Sequence, residues 1–180
     1  LVAQQRLATC THVVVEQYLE AAGNYCLTFA AMQDSTVRYL GASEQVTDGA
    51  GSYRGNWLDP RREPPAVAVE AGREIMRRAQ QLGYRGVAGF DVLVDRRGAV
   101  WVIDLNFRLN GSTPALLWRP ALRERFGPDC VMRYQSGDLP GSLTDCLGML
   151  RDMIRRGDFF PLAAFDPVAG VQRRCRRRGH

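Results

Sequence analysis

Asp91, Asp104, Asn106 and Arg108 stand where two extended runs of this sequence would face each other. The stretch GVAGFDVLVDRRGAVWVIDLNFRLNGST reads as two strands around a tight turn at Arg96-Arg97-Gly98. With Arg97-Gly98 as a two-residue turn, facing residue numbers in the 87–108 hairpin sum to 195, so Asp91 lies opposite Asp104. Side chains alternate between the faces of a strand. One face then receives Phe90, Val92, Val94, Trp101, Ile103, Leu105 and Phe107, all apolar. The other receives Asp91, Leu93, Val102, Asp104, Asn106 and Arg108. Two carboxylates with Cβ atoms roughly 5 Å apart repel each other unless a cation sits between them. Asn106 follows Asp104 at i+2 and points the same way. The ligand atoms are hard oxygens, which suit Mg²⁺ or Mn²⁺ and not zinc. Mg²⁺ favours one or two carboxylates completed by phosphate oxygens and water, so a nucleoside triphosphate is the natural complement. Arg108, one step further on that face, is placed to clamp a phosphate or an acyl phosphate. The competing account is a hairpin whose polar side is simply wet. Leu93 and Val102 on that side argue against it, and a one-residue slip in register would undo the pairing.

The elements needed to hold this hairpin are legible around it. Val13-Val14-Val15 is a β-branched run typical of a buried strand. NYCLTFAAM and STVRYLGAS read as two strands joined through the turn residues Gln33-Asp34-Ser35. Residues 44–65, rich in Gly, Asp and Pro, read as a long polar loop of the kind that is more often functional than filler. Pro64 and Pro65 can open a helix, and Val69, Gly72, Ile75, Met76, Ala79 and Leu82 follow at helical spacing before Gly83 stops it. Past the hairpin, PALLWRPALRERFG and LPGSLTDCLGMLRDMIRRG read as two amphipathic helices, and DFFPLAAFDPVAG as one closing strand. Ser112 or Thr113 before Pro114 fits a helix N-cap, while Asn110-Gly111-Ser112-Thr113 is also placed to line an acceptor pocket. The pattern is α+β with an antiparallel sheet flanked by helices; no GxGxxG follows a strand, which disfavours a dinucleotide fold.

Composition sets the outer limits. The chain has 180 residues, 46% hydrophobic and 24% charged, which is the balance of one globular domain or one lobe of a larger enzyme. Residues 1–170 read as that unit and 171–180 as a basic, disordered tail. No run is long and apolar enough to span a membrane. The net charge of +5 comes from arginine alone, since the sequence has no lysine. Arg173, Arg174, Arg176, Arg177 and Arg178 account for it, so the body is neutral. The tail is read as a solvated end; nucleic-acid binding through it is the less favoured alternative. The five cysteines make no CxxC pair, which points to free thiols in a reducing cytoplasm and away from a zinc ribbon or a disulfide framework. With His12 and His180 as the only histidines, a serine–histidine hydrolase is excluded as a working reading.

Gly89-Phe90-Asp91 followed by Asp104-Leu105-Asn106-Phe107-Arg108 resembles the ATP-grasp superfamily, and the resemblance covers about residues 12–118. NFRLNGST is most similar to its peptide-ligase and amino-acid-ligase branches; the order of strands, loop and helix also resembles biotin-carboxylase-like members. The resemblance implies the C-terminal portion of an ATP-grasp domain. In it, Asp91, Asp104 and Asn106 hold Mg²⁺ (or Mn²⁺) against the ATP phosphates, and Arg108 serves the transferred group catalytically. Family members usually carry Glu at the second acid, where Asp104 is shorter. VVVEQYLE resembles the adenine-binding hinge. This places Glu16, Gln17 and Leu19 at the adenine edge, Glu20 or Asn24 at the ribose hydroxyls, and Leu93 in the floor under the base. The implied activity is ATP-dependent joining of a small-molecule carboxylate to an amine through an acyl phosphate. The family's N-terminal lobe, with its lysines and Gly-rich loop, has no counterpart here; Arg6 or Arg54 would stand in for a lysine. A nucleotide-binding remnant without turnover is the alternative.

Overall fold

The computed structural model describes residues 11–49, 51–135, 141–161, 163–166 and 171–174, the last two ranges as backbone only. A six-stranded antiparallel sheet is built from β1 (Ala21–Ala31), β2 (Val37–Thr47), β3 (Tyr53–Leu58), β4 (Gly86–Asp95), β5 (Val100–Asn106) and β6 (Met132–Tyr134). Its strand order is β5-β4-β1-β2-β3-β6. Helix α1 (Ala66–Gln81) separates β3 from β4, and α2 (Thr113–Phe126) follows β5. Two short helices, α3 (Leu143–Met149) and α4 (Arg151–Arg156), come later, with β7 (Ala163–Asp166) and β8 (Val171–Arg174) pairing as a separate antiparallel ribbon.

Alternation along the central strands assigns each face a different chemistry. Leu27, Phe29, Ala88, Phe90 and Val92 point to one side and are fully buried with Met76 and Ala68 of α1. The Phe29 and Phe90 rings pack tilted, with centroids 5.7 Å apart. Gly72 lets α1 come this close, because a Cβ there would meet the Phe29 ring at 2.6 Å. Val69, Ile75 and Met76 of the expected helical stripe all join this core. Gly83 ends the helix at a φ of 95° that favours glycine. The opposite side of the sheet carries α2, where Leu58, Ala115 and Leu116 pack with Met132 and Tyr134.

Several sequence expectations change here. Residues 12–20 have no regular structure, and Val14, Val15 and Tyr18 are largely exposed, so Val13–Val15 is not a buried strand within this chain. Residues 44–65 are not one loop. Most of the segment is the end of β2, a turn closed by Asp48, and β3. The glycines that suggested a break include Gly55, which sits inside β3 at φ 140°, where a Cβ would collide with the Tyr134 carbonyl of β6. The second late helix divides at Leu150, and within the expected closing strand Ala163–Asp166 is a β-strand. Val171–Arg174, at the start of the expected tail, pair with that strand; residues 175–180 and Arg6 lie outside the described residues.

Candidate functional site: a carboxylate pair on the second face of the sheet

The β4–β5 hairpin forms, but by a different route from the simple two-residue turn. It closes at Asp95 and Ala99, with Arg96, Arg97 and Gly98 in the turn and Gly98 at φ 82°. Asp95 Oδ1 accepts the backbone N–H groups of Arg97 and Ala99 at 2.8 and 2.9 Å, which fixes that turn. Near the turn the partners are Val94↔Val100, Leu93↔Trp101 and Val92↔Val102, whose numbers sum to 194. A bulge then intervenes between Asp91 and Val92 on the β4 side, leaving Ile103 unpaired on β5. Beyond it the sum is 195, and Asp91↔Asp104, Phe90↔Leu105 and Gly89↔Asn106 pair as the sequence reading required. The same bulge corrects two assignments. Val100 and Val102 pack against the core, whereas Trp101 pairs with Leu93 on the second face.

Across the sheet, Asp104, Asp91, Cys26 and Ser43 form one cross-strand row on that face. Asn106 donates Nδ2 to Asp104 Oδ2 at 2.7 Å. Asp104 is exposed and Asp91 half-buried. Burial is the main force raising the Asp91 carboxyl above its ordinary range; hydrogen bonds from Cys26 and Gln45 oppose this, the nearby Asp104 adds to it, and Arg108 counters it. Burial likewise pushes the Cys26 thiol up to about 12 and the Tyr53 hydroxyl up to about 12. Asn24 Oδ1, Thr28 Oγ1, Ser43 Oγ and Asn56 Oδ1 are buried on the same face with no hydrogen-bond partner among the described residues. A buried polar group without a partner costs about 1–3 kcal/mol, so this face is organised for something other than stability.

The arrangement offers two carboxylates and a carboxamide in adjoining register, flanked by an exposed guanidinium. Arg108 gives its Nη1 to the Leu109 carbonyl at 3.4 Å, a long contact. That donor set is all hard oxygen, and it fits Mg²⁺ or Mn²⁺. No group of three or more His, Cys, Asp or Glu side chains is poised for a metal among the described residues. Asn24 and Leu93 are register partners on β1 and β4. Glu16, Gln17 and Glu20 lie in the exposed segment before β1, with Leu19 half-buried. Glu20 is 3.6 Å from Arg96, and Arg54 pairs with Asp48 at 2.7 Å across the β2–β3 turn.

Sequence reasoning missed Cys26 and Gln45, and it named Asn110 without its contacts. The signal for Cys26 was the alternation of Asn24, Cys26 and Thr28 with Tyr25, Leu27 and Phe29. Asn110, read as part of a pocket or cap, has a definite task. Its Oδ1 accepts the backbone N–H and hydroxyl groups of both Ser112 and Thr113 at 2.9–3.2 Å. Ser112 occupies the N-cap position of α2 but makes no side-chain cap hydrogen bond, so the capping oxygen comes from Asn110.

A family model described as "L-aspartate--L-methionine ligase, ATP grasp" matches residues 2–106, which include the Asp91–Asp104 pair and Asn106. The chain belongs to the ATP-grasp ligase family. A relative, the [butirosin acyl-carrier protein]--L-glutamate ligase of Niallia circulans, is 36% identical over 81 residues, covering 43% of this chain and 19% of that protein. The chain therefore spans about a fifth of that relative's length. Among solved structures, N5-carboxyaminoimidazole synthetase from Staphylococcus aureus aligns over 82% of this chain and 41% of its own, at 13% identity and a TM-score of 0.48. Biotin carboxylase from Campylobacter jejuni aligns over 53% of this chain and 21% of its own, at 18% identity and a TM-score of 0.43. No helix among the described residues is long and apolar enough to cross a membrane.

Proposed function

We propose that this chain is the C-terminal portion of an ATP-grasp domain that activates a small-molecule carboxylate with ATP for attack by an amine. The observation that carries the reading is the Asp91↔Asp104 pair with Asn106 bonded to Asp104, on a sheet face lined with unpartnered buried polar groups. Asp91, Asp104 and Asn106 would hold Mg²⁺ or Mn²⁺. Bound there, the ion would neutralise charge on the nucleotide phosphates. Arg108, exposed at the end of the same strand, would meet the transferred phosphoryl group and the acyl phosphate.

The chemistry of this reading is the one the ATP-grasp resemblance implies. A substrate carboxylate oxygen attacks the γ-phosphorus, the bond to the β-phosphate oxygen breaks, and ADP leaves. The amine then attacks the acyl carbon and phosphate departs. The protein supplies position and charge and needs no nucleophile of its own. Asn110, Ser112 and Thr113 border the place where the amine would enter. Glu16, Gln17 and Leu19 would meet the adenine edge, with Asn24 or Glu20 at the ribose and Leu93 beneath the base. A second lobe covering the phosphates with cationic side chains is the partner this reading calls for, because the chain itself offers no lysine. That same lack favours a second reading, nucleotide binding without turnover; ADP release over a panel of amino acids separates the two.

Calorimetric titration with Mg·ATP tests the site. Asp104→Ala is expected to lose at least tenfold in nucleotide affinity, with affinity in the parent that disappears when the ion is chelated. Equal affinity in parent and variant would refute the assignment.

A further inference from the structure

Cys26 is 2% exposed and lies beside Asp91 across the β1–β4 ladder. The two side chains are cross-strand neighbours on the same sheet face. On its other side Asn110 donates Nδ2 to Cys26 Sγ at 3.1 Å. The direction of this chain of donors is forced. Asn110 Oδ1 is already occupied by the N–H and hydroxyl groups of Ser112 and Thr113, so only the NH₂ end of the amide can face the sulfur. The sulfur receives that donor, which leaves its own hydrogen for an acceptor, and the neighbouring Asp91 side chain supplies one. Gly89 makes the arrangement possible: a Cβ at that position would collide with Asn110 Nδ2. The glycine of the Gly-x-Asp sequence thus clears a path for a side chain arriving from the start of α2.

We propose that Cys26 and Asn110 are positioning residues for Asp91: Asn110, anchored at the start of α2, holds the Cys26 thiol so that its S–H is given to the carboxylate and fixes its orientation toward Asp104. The proposal rests on Asp91 being an ion ligand, as argued above. It adds a mechanical link, because any shift of the first turn of α2 is transmitted through an amide and a thiol to one of the two acids. Partners behind a ligating side chain fix its orientation, and their loss typically weakens metal affinity 10–100-fold.

Two readouts on the full chain test this. In the first, Mn²⁺ with ADP is titrated and followed by electron paramagnetic resonance. Cys26→Ala and Asn110→Ala are expected to weaken Mn²⁺ binding about tenfold. Cys26→Ser, which keeps a donor, is expected to stay within about threefold, while thermal unfolding shows all variants folded. Equal Mn²⁺ affinity in Cys26→Ala and the parent would overturn the proposal. In the second, the infrared S–H stretch of Cys26, assigned by its disappearance in Cys26→Ser, is expected at lowered frequency and to move in Asp91→Asn and in Asn110→Ala. A band that ignores Asp91→Asn would overturn the proposal even if Mn²⁺ binds. A band that responds in a protein that binds no Mn²⁺ would uphold the positioning contact and reject the ion-site reading instead.

Discussion

The two faces of the central sheet are made from the same strands, yet they obey opposite rules. Under α1, Leu27, Phe29, Phe90 and Val92 are sealed among apolar neighbours, and each of them adds to stability. On the other face, one residue along in each strand, stand Cys26, Thr28 and Asp91, with Ser43 across the ladder and several oxygens left without partners. The first face holds the sheet together, and the second spends part of that stability on a polar surface. A fold that carries chemistry needs this asymmetry: an over-determined side that can bear the cost of an under-satisfied one.

The contrast can be tested from its strongest side. Phe90→Ala is expected to destabilise the chain by about 3–5 kcal/mol in chemical denaturation, a large fraction of the stability of a domain this size. A loss below about 1 kcal/mol would mean the first face is not the stabilising one. Deleting Ile103 removes the bulge and leaves a continuous ladder in which Val102 and Asp104, now consecutive, keep opposite faces and their partners Val92 and Asp91. Mn²⁺ affinity is expected to stay within about threefold of the parent, and a drop of more than tenfold, about 1.4 kcal/mol, would show that the bulge itself aims Asp104. Ser43→Ala removes a buried hydroxyl without a partner. It is expected to leave stability unchanged or raise it by up to about 1 kcal/mol, whereas a clear loss would show that the second face is satisfied after all.

Asp59, just past β3, belongs to neither face and gives the smallest effect. Hydrogen bonds from Arg61 hold its carboxyl down at about 2 from an ordinary 3.8. A depressed acid stabilises the fold above its unfolded value and loses that contribution as pH falls through the folded one. The stability gap between the parent and Asp59→Asn is therefore expected to be full at neutral pH, to shrink below pH 3.8 and to vanish near pH 2, as read from acid unfolding curves.

The sequence showed the acid pair for a reason that was partly fortunate. A two-residue turn at Arg97-Gly98 is not what forms, yet the three-residue turn and the bulge at Ile103 offset each other by the time the chain reaches Asp104. On β5, Trp101 and Val102 between the turn and the bulge were consequently assigned to the wrong faces, while Asp104 beyond it was assigned correctly. Bulges leave little trace in hydrophobic alternation when, as around Ile103, the neighbours on both faces are apolar. The β3 strand was hidden for a different reason. Gly55 looks like a breaker in one dimension, but it answers a close approach by β6 that only the folded chain reveals. Helix α1, by contrast, was plain, since its period, its opening prolines and its closing Gly83 all agree. Asn110 was the least legible of all, because its partners Cys26 and Ser112 meet it only in three dimensions.

Asp91 lies on β4, clasped between β1 and β5, whereas Asp104 rides on the outermost strand of the sheet, bonded to β4 alone. The socket therefore has one fixed jaw and one that yields. Loosening of the margin can admit or release an ion with its escort while the interior ladders stay shut. Amide exchange along Val100–Asn106 would then be quickest in the bare protein and slow most when the jaws close.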